Sequence, residues 1–185
     1  MKTFFKSIKK ITWEMIPVIL GIWIALWVND WKTNKNDIQF LNSVLQSVEQ
    51  ENELNLKEIT TIIPKQEKLL ENIIQNLNND ETKILEVLSL AQGFKIPSLK
   101  NTSSQSLIKS KPELVDYKII RILADIEGEQ KSFENKINYA TSFLYQNLNA
   151  NEKDEKTIFK VLLTDIIDSE NQLKQLFEEL QSTYE

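Results

Sequence analysis

The longest apolar stretch of the chain lies close to its amino terminus. From Met15 to Val28 the sequence has no charged residue, and its polar side-chain atoms are the indole N–H groups of Trp23 and Trp27. A helix over residues 11–31 would be about 31 Å long at about 1.5 Å per residue. This length matches a bilayer hydrocarbon core of about 30 Å. We therefore predict one transmembrane helix over residues 11–31.

The residues flanking this stretch bear on two alternatives, a cleaved signal peptide and the buried helix of a soluble core. The basic residues 1–10 suit a signal peptide as well as an anchor. A cleavage site needs small residues after the apolar run, and residues 26–31 (LWVNDW) contain none. Trp13 and Trp31 lie near the two ends, where interfacial aromatic residues belong. These flanks favour a retained anchor.

The distribution of lysines predicts the orientation of the anchor. Four lysines precede the span and two follow it closely: Lys2, Lys6, Lys9 and Lys10 before it, Lys32 and Lys35 after it. Under the positive-inside rule, residues 1–10 are then cytoplasmic and residues 32–185 are extracytoplasmic. The expected location is the inner (cytoplasmic) membrane, with a single pass and a periplasmic carboxy-terminal domain.

The predicted span has two different faces. At about 100° per residue, the face expected to pack on another helix carries Glu14, Val18, Gly21, Ala25 and Val28. The opposite half carries the aromatic and interface residues Trp13, Trp23, Trp27 and Trp31. Gly21 and Ala25 form a small-x-x-x-small pair that allows close helix approach. Glu14 either stays hydrated at the interface beside Lys10 or meets a polar partner on another helix.

Beyond the span, apolar residues recur at three- and four-residue steps, as in amphipathic helices. The first such stripe is interrupted by Asn52, with Asn55 beside it; we interpret this as a solvated position, with a register-setting polar contact as the alternative. Pro64 is expected to start or kink the next helix. The stripe comprises Ile38, Leu41, Leu45, Val48, Asn52, Leu56, Ile59 and Ile63.

The second half of the chain predicts further helices separated by polar segments. Residues 84–90 form a short helix, and residues 92–111 form a loop with one short helix around residues 103–108. Pro112 is expected to open a helix of about thirty-five residues, since proline suits the first turn. Its expected stripe comprises Ile119, Leu123, Ile126, Gln130, Phe133, Ile137, Ala140, Leu144 and Leu148. The last helix runs over about residues 155–182. Its expected core side comprises Ile158, Leu162, Ile166, Leu173, Leu176 and Leu180.

These patterns predict an all-α fold. No segment shows sustained period-two alternation, and three glycines leave little for hairpin turns. The expected architecture is one N-terminal transmembrane helix followed by an extramembrane antiparallel helical bundle of three or four long helices, as one domain over residues 32–185.

The composition argues against an enzyme. The chain has no histidine and no cysteine, which removes the usual general base, nucleophile pairs and most transition-metal ligands. No phosphate-binding or dinucleotide-binding glycine motif occurs. The remaining acidic groups are interpreted as solvated helix faces, namely Glu49, Glu51, Glu53, Asp165 and Asp168. We therefore expect no catalytic residue, no cofactor and no metal site.

Two segments resemble a known family. Glu14, Gly21-Ile22 with Ile24-Ala25-Leu26, and the pair Asn29/Trp31 are similar to the anchor of domain of unknown function 6090, a family of single-span membrane proteins of Bacteroidota. Thr102-Ser103-Ser104, followed by Leu107-Ile108-Lys109 and then Pro112-Glu113-Leu114, resembles the mid-chain segment of that family. The resemblance implies the same topology and a helical exterior, and it implies no activity.

Three classes of function remain open on the sequence alone. The favoured class is a membrane-anchored structural or interaction protein, an accessory or scaffold subunit of a membrane assembly. The alternative is an extracytoplasmic ligand- or stress-sensing domain that signals through a partner, since residues 1–10 are too few for an output domain. An enzyme with a carboxylate site is the third. The expected partners are the lipid bilayer and other membrane helices or a second copy. The formal net charge of −5 argues against nucleic acid, and no small-molecule substrate is evident.

Overall fold

The described part of the chain is all-helical, as predicted. The computed structural model describes the backbone of residues 2–184 and the side chains of residues 15–184. Within that part there is no β-strand. The elements are α1 (Lys2–Gln75), α2 (Ile84–Leu90), α3 (Thr102–Ser110), a 3₁₀ turn (Pro112–Leu114), α4 (Tyr117–Asn147) and α5 (Lys153–Gln181).

The chain divides into two compact units, Met1–Ser43 and Val44–Glu185. The first unit consists of the first part of α1 and carries the apolar stretch. The second unit holds the rest of α1 and all the other elements. Within the described side chains, one helix is long and apolar enough to cross a membrane, and none of its apolar window is buried. The core helix of a soluble domain would be largely buried, so this alternative does not fit.

The second unit contains a hydrophobic core to which four helices contribute. Phe159, for example, is fully buried and meets the ring of Phe94 edge-on, at 6.3 Å between centroids. The core cluster comprises Leu69 and Ile73 of α1, Ile84, Val87, Leu88 and Ala91 on and just after α2, Leu144 of α4, and Phe159, Leu163 and Ile167 of α5. The short helix α2 therefore closes one end of the long helices.

Polar contacts fix the direction in which the long helices pair. Helix α4 packs along α5, and Arg121 at its start bonds to Glu179 at 3.2 Å, whereas Lys136 further on bonds to Ser169. On α1, Asn52 bonds to the carbonyl of Phe177, and Gln66 bonds to Glu170. Both α1 and α4 therefore run in the opposite direction to α5.

Two expected helix starts are wrong. Helix α1 runs through Pro64 to Gln75, so no helix begins at that proline. The missing N–H leaves the carbonyl of Thr60 without its usual donor, and Thr60 is exposed. Pro112 opens a 3₁₀ turn only. Helix α4 starts at Tyr117, because the carboxylate of Asp116 accepts the Lys118 N–H at 2.7 Å and caps the helix.

The buried stripe of α5 differs from the predicted one at three positions. Ile158 is 46% exposed and Leu162 and Leu176 are half-buried, whereas their neighbours Phe159, Leu163 and Phe177 are buried. The prediction failed because each of these positions has an apolar neighbour in the chain, so periodicity alone did not select the buried row. It comprises Phe159, Leu163, Ile166, Glu170, Leu173, Phe177 and Leu180. The predicted stripes of α4 and of the second part of α1 largely hold.

Candidate functional site

The apolar segment of α1 exposes its large side chains on every side. Trp23, Trp27 and Trp31 are 66%, 64% and 61% exposed. The predicted packing face is equally open: Val18 is 61% exposed and Val28 47%. All the large apolar side chains of this segment are exposed, namely Met15, Ile16, Val18, Ile19, Leu20, Ile22, Trp23, Ile24, Leu26, Trp27, Val28 and Trp31. Nothing within the described chain covers them.

The structure describes only some of the residues that were predicted to form the packing face and the interface anchors. A side chain added at Gly21 would meet no atom within 4 Å. Ala25, one turn further, is exposed too. The side chains of Glu14 and Trp13 lie outside the described residues, and their predicted roles remain predictions. At the other end, the ammonium of Lys35 lies 5.7 Å from the ring centroid of Trp31, a cation–π arrangement.

In the second unit, a row of polar side chains on α1 holds the irregular segment that follows α2. Asn55 donates to the carbonyl of Lys100 at 2.7 Å and accepts its N–H at 2.8 Å. Gln66 donates to the carbonyl of Lys95 at 2.8 Å. Asn52 and Asn55 are 4% and 3% exposed. The interpretation of this position as solvated is therefore wrong, because Asn55 takes the place of a missing main-chain partner of Lys100 and Asn52 donates to the carbonyl of Phe177 on α5.

Glu51 is likewise part of a buried contact. Its carboxylate accepts the N–H of Ser103 at 2.9 Å, and the N–H and hydroxyl of Ser104 at 3.2 and 2.9 Å. These are the first amides of α3, which have no partner inside the helix. They lie at the positive end of the helix dipole of α3, which favours a negatively charged group such as this carboxylate. Glu51 is 7% exposed, so its expected place on a solvated face is wrong.

A buried carboxyl group joins α5 to α1 and to the irregular segment. Glu170 is fully buried and accepts a hydrogen bond from Gln66 Nε2 at 2.8 Å. Its second oxygen has no partner, and neither does Gln66 Oε1. Burial raises the pKa of Glu170 to about 8, and the Gln66 hydrogen bond opposes that rise only in part. The group is therefore mainly neutral at pH 7.

Lys156 is the largest fully buried polar side chain of α5. It is 1% exposed, and its ammonium donates to the carbonyl of Asn79 at 2.6 Å, in the turn after α1.

Two N–H groups at the start of α2, those of Ile84 and Leu85, donate to the carbonyls of Ala150 and Leu148, each at 2.9 Å. These bonds tie the turn after α4 to the start of α2.

A half-open groove of about 370 Å³ lies between α4 and the extended segment 96–101. On α4 its polar lining is Gln130, Glu134 and Asn138, which are four residues apart and share one helix face. Gln130 is 4% exposed; its Nε2 donates to the carbonyl of Lys100 at 3.4 Å, and its Oε1 has no partner. The apolar lining includes Ile96, Leu99, Phe133 and Ile137.

Sequence patterns missed the polar contacts of Gln66, Glu170 and Lys156 and the groove itself. A signal did exist for one of its residues: Gln130 occupies a position in the apolar stripe of α4. Among the described side chains there is no cluster of three or more acidic groups arranged to hold a metal ion. Of the acidic groups of α1 and α5, Glu51 caps a helix and Glu170 is a buried hydrogen-bond partner, whereas Glu49, Glu53, Asp165 and Asp168 are exposed, as predicted.

Comparisons with known proteins complete this description. No family model, no curated protein and no solved structure matches the chain.

Proposed function

We propose that the protein is a single-span membrane-anchored interaction protein, an accessory or scaffold subunit of a membrane assembly. The observation that supports this is the exposed apolar segment Met15–Trp31 of α1. Transfer of one large aliphatic side chain out of water contributes about 1.5–3 kcal/mol. A segment with nine such side chains and three exposed tryptophans is not stable in water, so lipid or protein must surround it.

The tryptophans favour lipid around most of that segment. Indole rings are enriched at membrane interfaces, and the Trp31/Lys35 pair is the combination expected where the helix leaves the hydrocarbon. The four lysines of residues 1–10 support a cytoplasmic amino terminus. In this proposal the second unit is extracytoplasmic, and its three long helices, with α2 and α3, form an antiparallel bundle.

The face with Gly21 and Ala25 supports the second part of the proposal, a protein partner inside the membrane. Small residues four apart let two helix backbones approach closely, and van der Waals packing then replaces contacts with lipid. Glu14 shares this face and is proposed to meet a polar group of the partner. The resemblance of residues 14–31 to the anchor of domain of unknown function 6090 supports the same topology. We propose no catalytic activity.

A ligand-sensing exterior is the second candidate, and the groove between α4 and residues 96–101 favours it. Its volume lies within the range of about 300–1,000 Å³ found for small-molecule sites. A bound ligand would then have to act through a partner protein, because residues 1–10 are too short for an output domain.

Topology is tested first, and the absence of cysteine makes the test direct. Two full-length variants, Ser7→Cys and Ser182→Cys, are labelled in intact cells with a maleimide that does not cross the inner membrane. Labelling of the Ser182 variant alone is expected. Labelling of neither variant or of the Ser7 variant alone contradicts the proposed orientation, and recovery of the protein from the soluble fraction contradicts membrane attachment.

The partner is tested by purifying the full-length protein from its native membrane in mild detergent and weighing the complex by native mass spectrometry. Another protein at a fixed ratio, or a defined homo-oligomer, is expected. A clean monomer argues against the interaction function and directs attention to the groove.

A further inference from the structure

The groove between α4 and residues 96–101 combines a polar row with an apolar wall. Gln130, Glu134 and Asn138 supply the polar row along α4. Phe133 and Ile137 lie beside it on the same helix. A ligand in this groove therefore meets hydrogen-bonding groups along one edge and apolar surface along the other, the combination typical of small-molecule sites.

The charge of the residues that line the groove determines whether it favours a cationic or an anionic ligand. Glu134 is the one charged residue among the described residues that line the groove, and no lysine or arginine lines it. Glu134 is exposed and has no hydrogen bond or ion pair with another described side chain. Its carboxylate is therefore available for a cation, and an anion would find no compensating charge.

Gln130 adds a preference for a hydrogen-bond donor. Its Nε2 donates to the carbonyl of Lys100, and this bond fixes the orientation of the amide, because the reverse orientation would set two oxygens against each other. Oε1 is then an acceptor that is buried without a partner. Such a group costs about 1–3 kcal/mol. A donor that enters the groove and reaches this oxygen removes the cost.

We propose that this groove is a binding site for small organic cations with a flat apolar body, of the amidine or arylalkylamine class. The cationic N–H groups bind between Glu134 and Gln130, and the apolar body lies against Phe133, Ile137 and Leu99. The site lies wholly in the second unit. It depends on neither the membrane anchor nor a protein partner, so it is independent of the interaction function, and it names the ligand class for the second candidate, the ligand-sensing exterior.

The test compares two probes of the same shape, benzamidine and benzamide, by isothermal titration with the full-length protein in detergent micelles. Benzamidine is cationic and benzamide is neutral. We expect benzamidine to bind about three- to fivefold more tightly, the effect of one exposed ion pair. Equal affinity of the two probes, or no binding of benzamidine at millimolar concentration, overturns the proposal.

Three variants locate the binding. Glu134→Gln keeps the shape of the side chain and removes its charge, so the variant should bind benzamidine and benzamide with equal affinity. Asp125→Asn removes an exposed charge from the same helix outside the groove, and it should leave the preference unchanged. Ser98→Trp fills the groove from its exposed rim and should abolish binding of both probes, with an unchanged circular dichroism spectrum. Binding that persists in the Ser98 variant assigns the probes to another surface and overturns the proposal.

Discussion

Asn55 forms a pair of hydrogen bonds with the main chain of Lys100, as a neighbouring strand would. Its Nδ2 donates to the carbonyl at 2.7 Å, and its Oδ1 accepts the N–H at 2.8 Å. The extended segment 94–100 has no strand partner among the described residues. The side chains of α1 therefore supply the hydrogen bonds that a sheet would otherwise provide.

The first prediction concerns this pair. Asn55→Ala should lower the free energy of unfolding by about 1–2 kcal/mol, because it leaves the part-buried N–H of Lys100 unpaired and removes the shorter of the two hydrogen bonds to its carbonyl. Urea unfolding of the full-length protein in micelles, followed by far-UV circular dichroism, measures the change. Fluorescence does not serve, since all four tryptophans lie between residues 13 and 31. Gln50→Ala, an exposed position on the same helix, should change the stability by less than about 0.5 kcal/mol.

A second prediction concerns the cap that Glu51 provides for α3. Glu51→Gln keeps the size but removes the negative charge and one acceptor, so it should destabilise α3 by about 1–2 kcal/mol. Hydrogen exchange of the amides of residues 103–110 should become faster in this variant. Glu53→Gln, two positions along α1 and exposed, is the matched control. Equal exchange in the two variants would show that the cap does not stabilise α3.

The sequence predicted the positions of the helices better than the side-chain contacts between them. The helical periods of α4, α5 and the second part of α1 are local properties of the chain, and α2 was predicted with its observed bounds, Ile84–Leu90. The role of Glu51 depends on Ser103 and Ser104, some fifty residues away. No local pattern shows such a contact, because an acidic residue on a helix is usually solvated.

The same limit explains why the buried position of Glu170 and the groove were missed. Glu170 interrupts an apolar pattern, and only the position of Gln66 on another helix explains why a carboxyl group is buried there. The groove forms where segment 96–101 lies along α4, which a periodicity argument does not place. The anchor faces are different: they follow from helical geometry alone, and the partners proposed for them lie outside the chain.

The third prediction is a pH dependence from Glu170. Its pKa is about 8 in the folded state, against an ordinary value of 4.5. The folded protein therefore binds more protons than the unfolded chain between these values, and its stability falls as the pH rises from about 5 to 8. Complete ionisation corresponds to at most about 5 kcal/mol. Tyr184 does not contribute in this range, because burial and the charge of Glu49 raise its pKa to about 12.

Glu170→Gln tests this dependence, since an uncharged amide fits the same place and can donate to the unpaired Gln66 Oε1. The variant should be more stable than the parent protein at pH 8 and should lose most of the slope between pH 5 and 8. Asp168→Asn, exposed on the same helix, should retain the slope. A slope that survives in the Glu170 variant would assign the pH dependence to other groups.

The last prediction concerns the membrane helix. Gly21→Leu combined with Ala25→Leu adds bulk to the face on which close helix approach depends. Since leucine is at least as apolar as the residues it replaces, insertion should be unaffected. Association with the partner or second copy, measured as the fraction of complex in native mass spectrometry, should fall about tenfold or more. Ile22→Leu with Ile24→Leu changes positions off that face and should leave the fraction unchanged. If the small-face variant associates as strongly as the control, then the interaction uses the tryptophan side of the helix or the extramembrane helices.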